Sequence, residues 1–160
     1  PDATRCKPTP AEIAHLAELE QLVGVKETIL DLDEVGELVN LMKGKKQFSV
    51  FSGTALNLLP AMERGACGAI GVLPNLIPQQ CVAFYNAIRS GNMEKALELQ
   101  SFIFKFMPLM TASPAPHSIM KEALRRLGHP IKPLVKDPLP PLKKEQQELV
   151  ERVFAEAGIK

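Results

Sequence analysis

One lysine of this sequence stands where a reactive amine could act. Lys26 follows the apolar run from Leu22 to Val25 and is itself followed by Glu27 and Thr28. A lysine in this position is most often a solvated residue that closes a strand, with its stem over apolar neighbours. It can also be a Schiff-base nucleophile, because a dry pocket disfavours the ammonium form and leaves the amine free to attack. The residues alone leave both interpretations open.

The other polar candidates have simpler explanations. Asp31, Asp33 and Glu34 form a carboxylate cluster, but acidic residues in the first turn of a helix usually complement its dipole. The pair Ser52-Gly53 is either a turn that ends a strand or a small-residue floor that admits a substrate carboxylate to backbone donors. The histidines have no suitable partner at a useful spacing and are interpreted as packing or surface residues: His15, His117 and His129.

Composition narrows the class of protein. The chain has 160 residues, 46% of them hydrophobic and 23% charged, and a formal net charge of +1. Nucleic-acid binding is disfavoured because phosphate recognition needs concentrated positive charge. We find no stretch long enough for a membrane span and no signal peptide, and we expect a cytoplasmic protein. The three cysteines lack metal-ligand spacing and are expected to be reduced thiols: Cys6, Cys67 and Cys81.

Lys26 follows the first of three apolar segments that alternate with helical patterns. The predicted strands are Leu22–Val25, Phe48–Phe51 and Gly68–Val72. Four helices are predicted, over 10–20, 33–43, 56–64 and 78–90. The first begins at Pro10 and is capped by Thr9. Strands and helices that alternate at this spacing imply a parallel sheet with right-handed crossovers.

The alternation stops at Gly91. Residues 92–160 are predicted to hold three helices, at 92–107, 118–127 and 143–157, with a proline-rich connection from Pro130 to Pro141. We therefore divide the chain into βα units, 1–91, and a helical extension, 92–160, packed on the same domain. Phe102, Phe104 and Phe106 form either a packing surface or a partner interface.

Three parallel strands do not complete a sheet of this kind. Parallel sheets are covered on both faces or closed into a barrel. Here the helices between the strands would cover one face and leave the other face and two edges open. The sequence therefore predicts that the sheet is completed by additional structure or by another chain.

Three segments in order resemble one known family. "LVGVKET", "FSVFSG" and "ERGACGAIGVLPNLIPQ", followed by an all-helical tail, resemble the C-terminal half of the dihydrodipicolinate synthase and N-acetylneuraminate lyase family. The resemblance implies half of a TIM barrel, an α/β fold, followed by a helical extension. It implies that Lys26 is the catalytic lysine that forms a Schiff base with pyruvate or another 2-oxo acid. It also implies that Ser52, Gly53 and Ile70 line the substrate pocket.

Several of the family's features do not occur in these residues. Its Gly-Thr-Thr-Gly-Glu signature, which binds the substrate carboxylate, belongs to the N-terminal half and is not found here. Its proton-shuttling tyrosine is not matched either, because Tyr85 is predicted to lie in the middle of a helix. Ala3 stands where the synthase branch has a substrate-binding arginine, which disfavours that branch and leaves other 2-oxo acid lyases open.

These observations lead to one expectation and its alternatives. We expect a class I lyase or aldolase that acts on a 2-oxo acid such as pyruvate through Lys26 and requires no metal or organic cofactor. A non-catalytic half-barrel that serves binding or assembly is the alternative, as is one half of a two-chain enzyme. The expected partners are a second copy of the chain or a separate N-terminal half-barrel, and neither nucleic acid nor a membrane.

Overall fold

The computed structural model describes residues 6–28, 31–44 and 48–159. The chain forms two compact units, Pro1–Gly71 and Val72–Lys160. The predicted boundary at residue 91 divides the chain by type of secondary structure, into βα units and a helical tail, and not by compactness. It therefore stays a prediction. Ala3, the residue that disfavours the synthase branch, lies outside the described residues.

In the part of the chain that the structure describes, the first unit is a parallel sheet with three helices. Its strands pair in the order β1-β2-β3, and both pairs are parallel, as predicted. The elements follow one another as α1 (Pro10–Leu16), β1 (Gly24–Glu27), α2 (Leu32–Met42), β2 (Ser49–Ser52), α3 (Leu58–Glu63) and β3 (Gly68–Ala69).

Local chemistry fixes where these helices begin and end. Thr9 caps α1 in a capping box with Glu12, in which each side chain accepts a hydrogen bond from the other residue's backbone N–H. Asp31 caps α2, because its carboxylate accepts from the N–H of Asp33 at 2.9 Å. Gly44 follows α2 with a φ of 75°, a left-handed conformation that glycine adopts without steric cost.

One apolar cluster holds the first unit together. It joins α1 and α2 to the strand residue Val50, and its most buried members are Leu38 and Ala61. Val25 of β1 packs against this cluster from the sheet. The helices therefore cover the sheet face to which Val25 and Val50 point.

The first strand differs from the prediction. It begins at Gly24 and includes Lys26, whereas Leu22 and Val23 precede it with 39% and 69% of their surface exposed. The predicted buried strand, Leu22–Val25, was therefore wrong in both position and burial. An edge strand is covered on fewer sides than a central one, so an apolar run alone does not guarantee burial.

The second unit is helical. After a 3₁₀ turn at Leu73–Asn75 it contains α4 (Pro78–Arg89), α5 (Met93–Phe104), α6 (Met107–Thr111), α7 (His117–Arg126) and α8 (Lys144–Ala157). No helix in the described part of the chain combines the length and the apolar character that a membrane crossing requires.

The long helix predicted over 92–107 is two helices, and the tail after residue 91 holds four helices instead of three. The break follows from Pro108, which lacks an N–H and whose ring would clash with the carbonyl of Phe104, four residues earlier. Helix α5 ends at that residue. Phe106, between the two helices, is fully buried, whereas Phe104 remains 42% exposed.

The proline-rich segment has neither helix nor strand, as predicted, and polar side chains of α7 hold it. The Ser118 hydroxyl donates to the carbonyl of Pro140 at 3.1 Å, and the Lys121 ammonium donates to that of Leu134 at 2.6 Å. Proline-rich chain cannot supply its own ladder of hydrogen bonds, so side chains of a neighbouring helix satisfy its carbonyl groups.

Candidate active site

Lys26 lies in β1, one residue before the strand ends at Glu27. Because successive side chains of a strand point to opposite faces, Lys26 projects from the face opposite Val25 and away from α1 and α2. Its side chain is exposed, and within the described residues its amine forms neither an ion pair nor a hydrogen bond. The carboxyl ends of parallel strands are where α/β folds build their sites, and Lys26 is close to that end.

The register of the strands shows which residues share a face with Lys26. Lys26 is paired with Phe51 of β2, and Phe51 in turn with Gly68 of β3. Alternation within one strand does not fix its register with the next, so the sequence alone could not show which face Phe51 occupies. The structure places the half-buried Phe51 beside Lys26 on the face opposite α1 and α2, a neighbour that the predicted site did not include.

Ser52 points away from this face. It is 4% exposed, and its hydroxyl donates to the carbonyl of Thr54 at 3.0 Å. The N–H of Thr54 returns a hydrogen bond to the same hydroxyl at 3.4 Å. Ser52 therefore builds the turn that ends β2, which is the simpler of its two interpretations.

Gly53 lies at the end of β2, beside Thr28. Its N–H donates to the carbonyl of Glu27, so this donor is already engaged. A Cβ on Gly53 would lie 2.6 Å from the Cα of Thr28, closer than real atoms approach. Gly53 therefore provides a small floor where the two strands end, but its own N–H is not free to receive a substrate carboxylate.

Close packing between two strands explains why residue 24 is a glycine. Gly24 lies two residues before Lys26, on the same face of β1. A Cβ on Gly24 would lie 2.6 Å from the carbonyl oxygen of Ser49, its partner in β2. The glycine therefore allows β1 and β2 to approach each other.

Ile70 follows β3 and adds one more hydrogen bond between β3 and β2. Its N–H donates to the carbonyl of Ser52 at 2.8 Å, and its side chain is 51% exposed. By alternation from Gly68 it lies on the same sheet face as Phe51 and Lys26. The strand itself is shorter than predicted, Gly68–Ala69 instead of Gly68–Val72, because the ladder has no partner beyond the end of β2.

A cleft of about 440 Å³ runs along β1. Two lysines line it, Lys26 and Lys7. The remaining lining residues are Cys6, Pro8, Ile13, Leu16, Leu22, Gly24, Val25, Glu27, Thr28 and Phe48. Apolar side chains form most of the wall, and the two amines and Glu27 supply its charge.

The two lysines of the cleft differ in their partners. The ammonium of Lys7 contacts the carboxylate of Glu34 at 2.7 Å. That hydrogen bond is the main cause that raises the pKa of Lys7, and the charges of Asp31 and Glu27 add to it. Lys7 is therefore held as a cation, whereas Lys26 has no such partner in the described part of the chain. Of the two lysines, only Lys7 is ion-paired among the described residues.

The carboxylate cluster has structural roles, as predicted. Asp31 caps α2, Glu34 pairs with Lys7, and Asp33 lies 3.7 Å from a guanidinium nitrogen of Arg64. Across residues 6–28, 31–44 and 48–159, no three histidine, cysteine or acidic side chains converge in a way that could hold a metal ion.

Comparison with known sequences identifies the family. The sequence model of the Dihydrodipicolinate synthetase family matches residues 1–157. An uncharacterized DapA-like lyase from Thermofilum pendens is 31% identical over 144 residues, which are 89% of this chain and 48% of that protein. The 4-hydroxy-tetrahydrodipicolinate synthase of Thermotoga maritima is 34% identical over 157 residues, which are 94% of this chain and 50% of the synthase.

Solved structures give the same relationship in three dimensions. A dihydrodipicolinate synthase variant described as monomeric superposes with a TM-score of 0.89 and 28% identity, covering 100% of this chain and 53% of the variant. A prophage protein from E. coli K12, solved in complex with pyruvate, gives a TM-score of 0.84 and 26% identity, covering 95% of this chain and 52% of that one. The chain therefore spans about half the length of the relatives it matches. By sequence and by fold, it belongs to the dihydrodipicolinate synthetase family and corresponds to half of that family's TIM barrel.

Proposed function

We propose that this chain carries the Schiff-base half of a class I lyase that acts on pyruvate or another 2-oxo acid. The observation that carries the proposal is the position of Lys26 near the carboxyl end of a parallel sheet, where its amine has no ion-pair partner among the described residues. The family relationship and the pyruvate named for the E. coli K12 relative support the class of substrate.

The chemistry follows from an amine and a keto group. The lone pair of Lys26 Nζ attacks the keto carbon, and the keto oxygen leaves as water to give an imine. Loss of a proton from the adjacent carbon gives an enamine, which forms a new carbon–carbon bond with an aldehyde. The reverse sequence cleaves such a bond, and hydrolysis of the imine restores the lysine.

In this proposal the neighbours of Lys26 shape the substrate site. Phe51 and Ile70 supply apolar surface on the same sheet face, and Gly53, which has no side chain, lets the ends of β1 and β2 pack closely together. Ser52 contributes by holding the turn through its contact with Thr54. No metal or organic cofactor enters these steps.

Reductive trapping tests the proposal. Borohydride added with pyruvate should attach one reduced pyruvate to Lys26, located by peptide mass spectrometry. Lys26→Ala should abolish the adduct, and Lys7→Ala is the matched control because Lys7 lines the same cleft but is ion-paired. Adduct formation that persists in Lys26→Ala and disappears in Lys7→Ala would assign the reactive amine to Lys7 and refute the proposal.

The open cleft favours a second candidate, a half-barrel that serves binding or assembly. Lys26 is exposed here, whereas a Schiff-base lysine works best in a dry pocket. General acid–base catalysis contributes about 10²–10⁴-fold, and the family's tyrosine is not matched in these residues. We therefore expect trapping without aldol turnover at ordinary enzymatic rates, roughly 1 s⁻¹ or more. If even pyruvate at high concentration leaves no adduct, the binding module is favoured.

A further inference from the structure

One extended segment of the second unit presents a regular face. Residues 131–136 form neither helix nor strand, yet their exposure alternates from one residue to the next. The even-numbered residues, Lys132, Leu134 and Lys136, are exposed, and the odd-numbered ones are half-buried. A period of two is typical of extended chain, because successive side chains point to opposite sides. The three exposed side chains therefore project together, and we call them the lysine–leucine face.

Two side chains of α7 hold this segment in place. The Lys121 ammonium donates to the carbonyl of Leu134 at 2.6 Å, and the Ser118 hydroxyl donates to that of Pro140 at 3.1 Å. The two donors are three residues apart, so they lie on one face of the helix. Pro133 also fixes its own φ and favours extended backbone in the residue before it. The lysine–leucine face is therefore formed before a partner binds, which lowers the entropy cost of binding.

The backbone of this segment is poorly suited to strand pairing. An added strand is held by alternate N–H and carbonyl groups, but Pro133 has no N–H and the carbonyl of Leu134 is already engaged by Lys121. Recognition therefore depends on the exposed side chains.

Positive charge is concentrated around the lysine–leucine face. Residues 121–136 are a tenth of the chain and contain five of its 19 lysines and arginines but one of its 18 acidic residues, so their net charge is +4. Because the whole chain carries +1, the remaining residues sum to −3. The one acidic residue, Glu122, is engaged by two arginines of α7. Lys132 and Lys136 form no ion pair in the described part of the chain, and the exposed Asp137, next in sequence, pairs with neither.

An exposed leucine stands between the two lysines. Leu134 is 68% exposed, the highest value among the large apolar side chains of the described second unit. At about 3.3 Å per residue, the two lysines are separated by roughly 13 Å, with the leucine midway. A phosphate chain has no group that complements a leucine, and residues 121–136 contain no Phe, Tyr or Trp on which a base could stack. A polypeptide with carboxylates on either side of an apolar residue matches all three positions.

We propose that the lysine–leucine face is a docking surface for an acidic, extended peptide segment of another protein, in the pattern acidic–any–apolar–any–acidic. In such a segment the two carboxylates are also about 13 Å apart and reach Lys132 and Lys136, while the apolar side chain packs on Leu134. The proposal concerns the second unit and does not depend on the reactivity of Lys26.

The probe is a fluorescently labelled synthetic peptide that contains the sequence Glu-Ser-Leu-Ser-Glu, titrated by anisotropy. It should bind with a Kd below about 1 mM. Binding should weaken as NaCl is added, because salt screens exposed charges. Two control peptides, with Lys-Ser-Leu-Ser-Lys and with Glu-Ser-Ser-Ser-Glu, should each bind about tenfold more weakly or not at all. In amide NMR spectra of the chain, the shifts caused by the first peptide should centre on residues 131–136.

Matched charge reversals test which lysines are involved. Lys132→Glu combined with Lys136→Glu should weaken binding of the peptide about tenfold or more, and Leu134→Ser about tenfold. Arg89→Glu combined with Lys95→Glu is the control, since it changes the net charge equally at two other exposed cations of the second unit and should leave binding unchanged. Thermal melting checks that each variant is folded.

Each of four results would overturn the proposal. The first is no detectable binding of the Glu-Ser-Leu-Ser-Glu peptide at about 1 mM. The second is equal weakening in the control pair of reversals, which would reduce the effect to net charge. The third is loss of self-association in Lys132→Glu with Lys136→Glu, measured by light scattering, which would assign the face to a second copy. The fourth is binding of phosphatidylserine vesicles in preference to the peptide, abolished by Leu134→Ser, which would assign the face to a membrane.

Discussion

Gly53 and Thr28 are in van der Waals contact where β1 and β2 end, and the contact leaves no room for a side chain on Gly53. The N–H of Gly53 donates to the carbonyl of Glu27, which fixes the two strand ends together. A Cβ on Gly53 would lie 2.6 Å from the Cα of Thr28, a backbone atom that cannot rotate away. This contact positions the end of the strand that carries Lys26.

Replacing glycine by alanine should destabilise the chain at this contact, where the added methyl group has no room, but not at a glycine with space around it. Gly53→Ala should lower the free energy of unfolding by about 1–3 kcal/mol, because the strand ends must move apart. Gly36→Ala is the control, since Gly36 lies within α2 and its Cβ would meet only the flexible side chain of Arg64 at 3.8 Å. There the change should be neutral or stabilising by up to about 1 kcal/mol. Urea unfolding measures both, and equal effects at the two positions would contradict the role given to the Gly53 contact.

The buried carboxylate of Glu122 should be the most sensitive charged group of the second unit. It is 2% exposed and accepts two hydrogen bonds from Arg125 and one from Arg126. Arg126 also donates a hydrogen bond to Glu151 of α8. Glu122→Ala leaves two guanidinium groups without this partner and should cost about 3 kcal/mol of unfolding free energy. Glu98→Ala breaks an exposed pair with Lys95 and should cost less than about 1 kcal/mol. A comparable loss for the two variants, measured by urea unfolding, would show that burial of Glu122 is unimportant.

The carboxylate of Glu122 should also make the stability of the fold depend on pH. The Arg125 hydrogen bonds lower the pKa of Glu122 in the folded chain, against the opposing effect of burial. A carboxyl group with a lowered folded pKa stabilises the fold above its unfolded pKa, about 4.3, and this contribution disappears as the pH falls through the folded value. Glu122→Gln should therefore weaken the fold at pH 7 but narrow its deficit relative to the parent below pH 4, as followed by thermal melting. A deficit independent of pH would contradict this linkage.

The three thiols should react at different rates. Burial raises the pKa of Cys81 to about 11, so its thiol is neutral at pH 8 and is enclosed in α4. Cys6 and Cys67 are exposed. Iodoacetamide at pH 8 should therefore label Cys6 and Cys67 in the native chain and label Cys81 only after denaturation. Peptide mass spectrometry gives the order, and labelling of native Cys81 as fast as Cys67 would contradict its burial.

The isolated chain should associate with itself. The first unit exposes a series of large apolar side chains, among them Leu19 at 54%, Val23 at 69% and Ile70 at 51%. Contiguous apolar surface beyond a few hundred Å² is rare in monomers, and its burial is worth about 25 cal/mol per Å². Light scattering coupled to size exclusion at low micromolar concentration should give a mass above 17.5 kDa, and Leu19→Glu with Val23→Glu should reduce it. A folded species of 17.5 kDa for the parent chain would contradict this expectation.

The sequence by itself determined the features that depend on neighbouring residues. Thr9 with Glu12 predicted the start of α1, and Gly44 predicted the end of α2, because caps are satisfied by atoms a few residues away. Pro78 likewise predicted the start of α4. The alternation of strands and helices predicted a parallel sheet, and the setting of Lys26 predicted the family. Pro108 also indicates the break after α5, but the single helix predicted over 92–107 did not take this proline into account.

Only the tertiary structure decided which residues accompany Lys26. Strand register joins residues far apart in sequence, so no local pattern could show that Phe51 lies beside Lys26 while Ser52 points to the helices. A shift of one residue would have reversed both assignments, because side chains in a strand alternate between faces. The side of β1 that pairs with β2 is also a tertiary property, since it is defined by contacts between strands far apart in sequence. The amine was therefore evident from the sequence, whereas its neighbours and the cleft beside it depended on how the strands align.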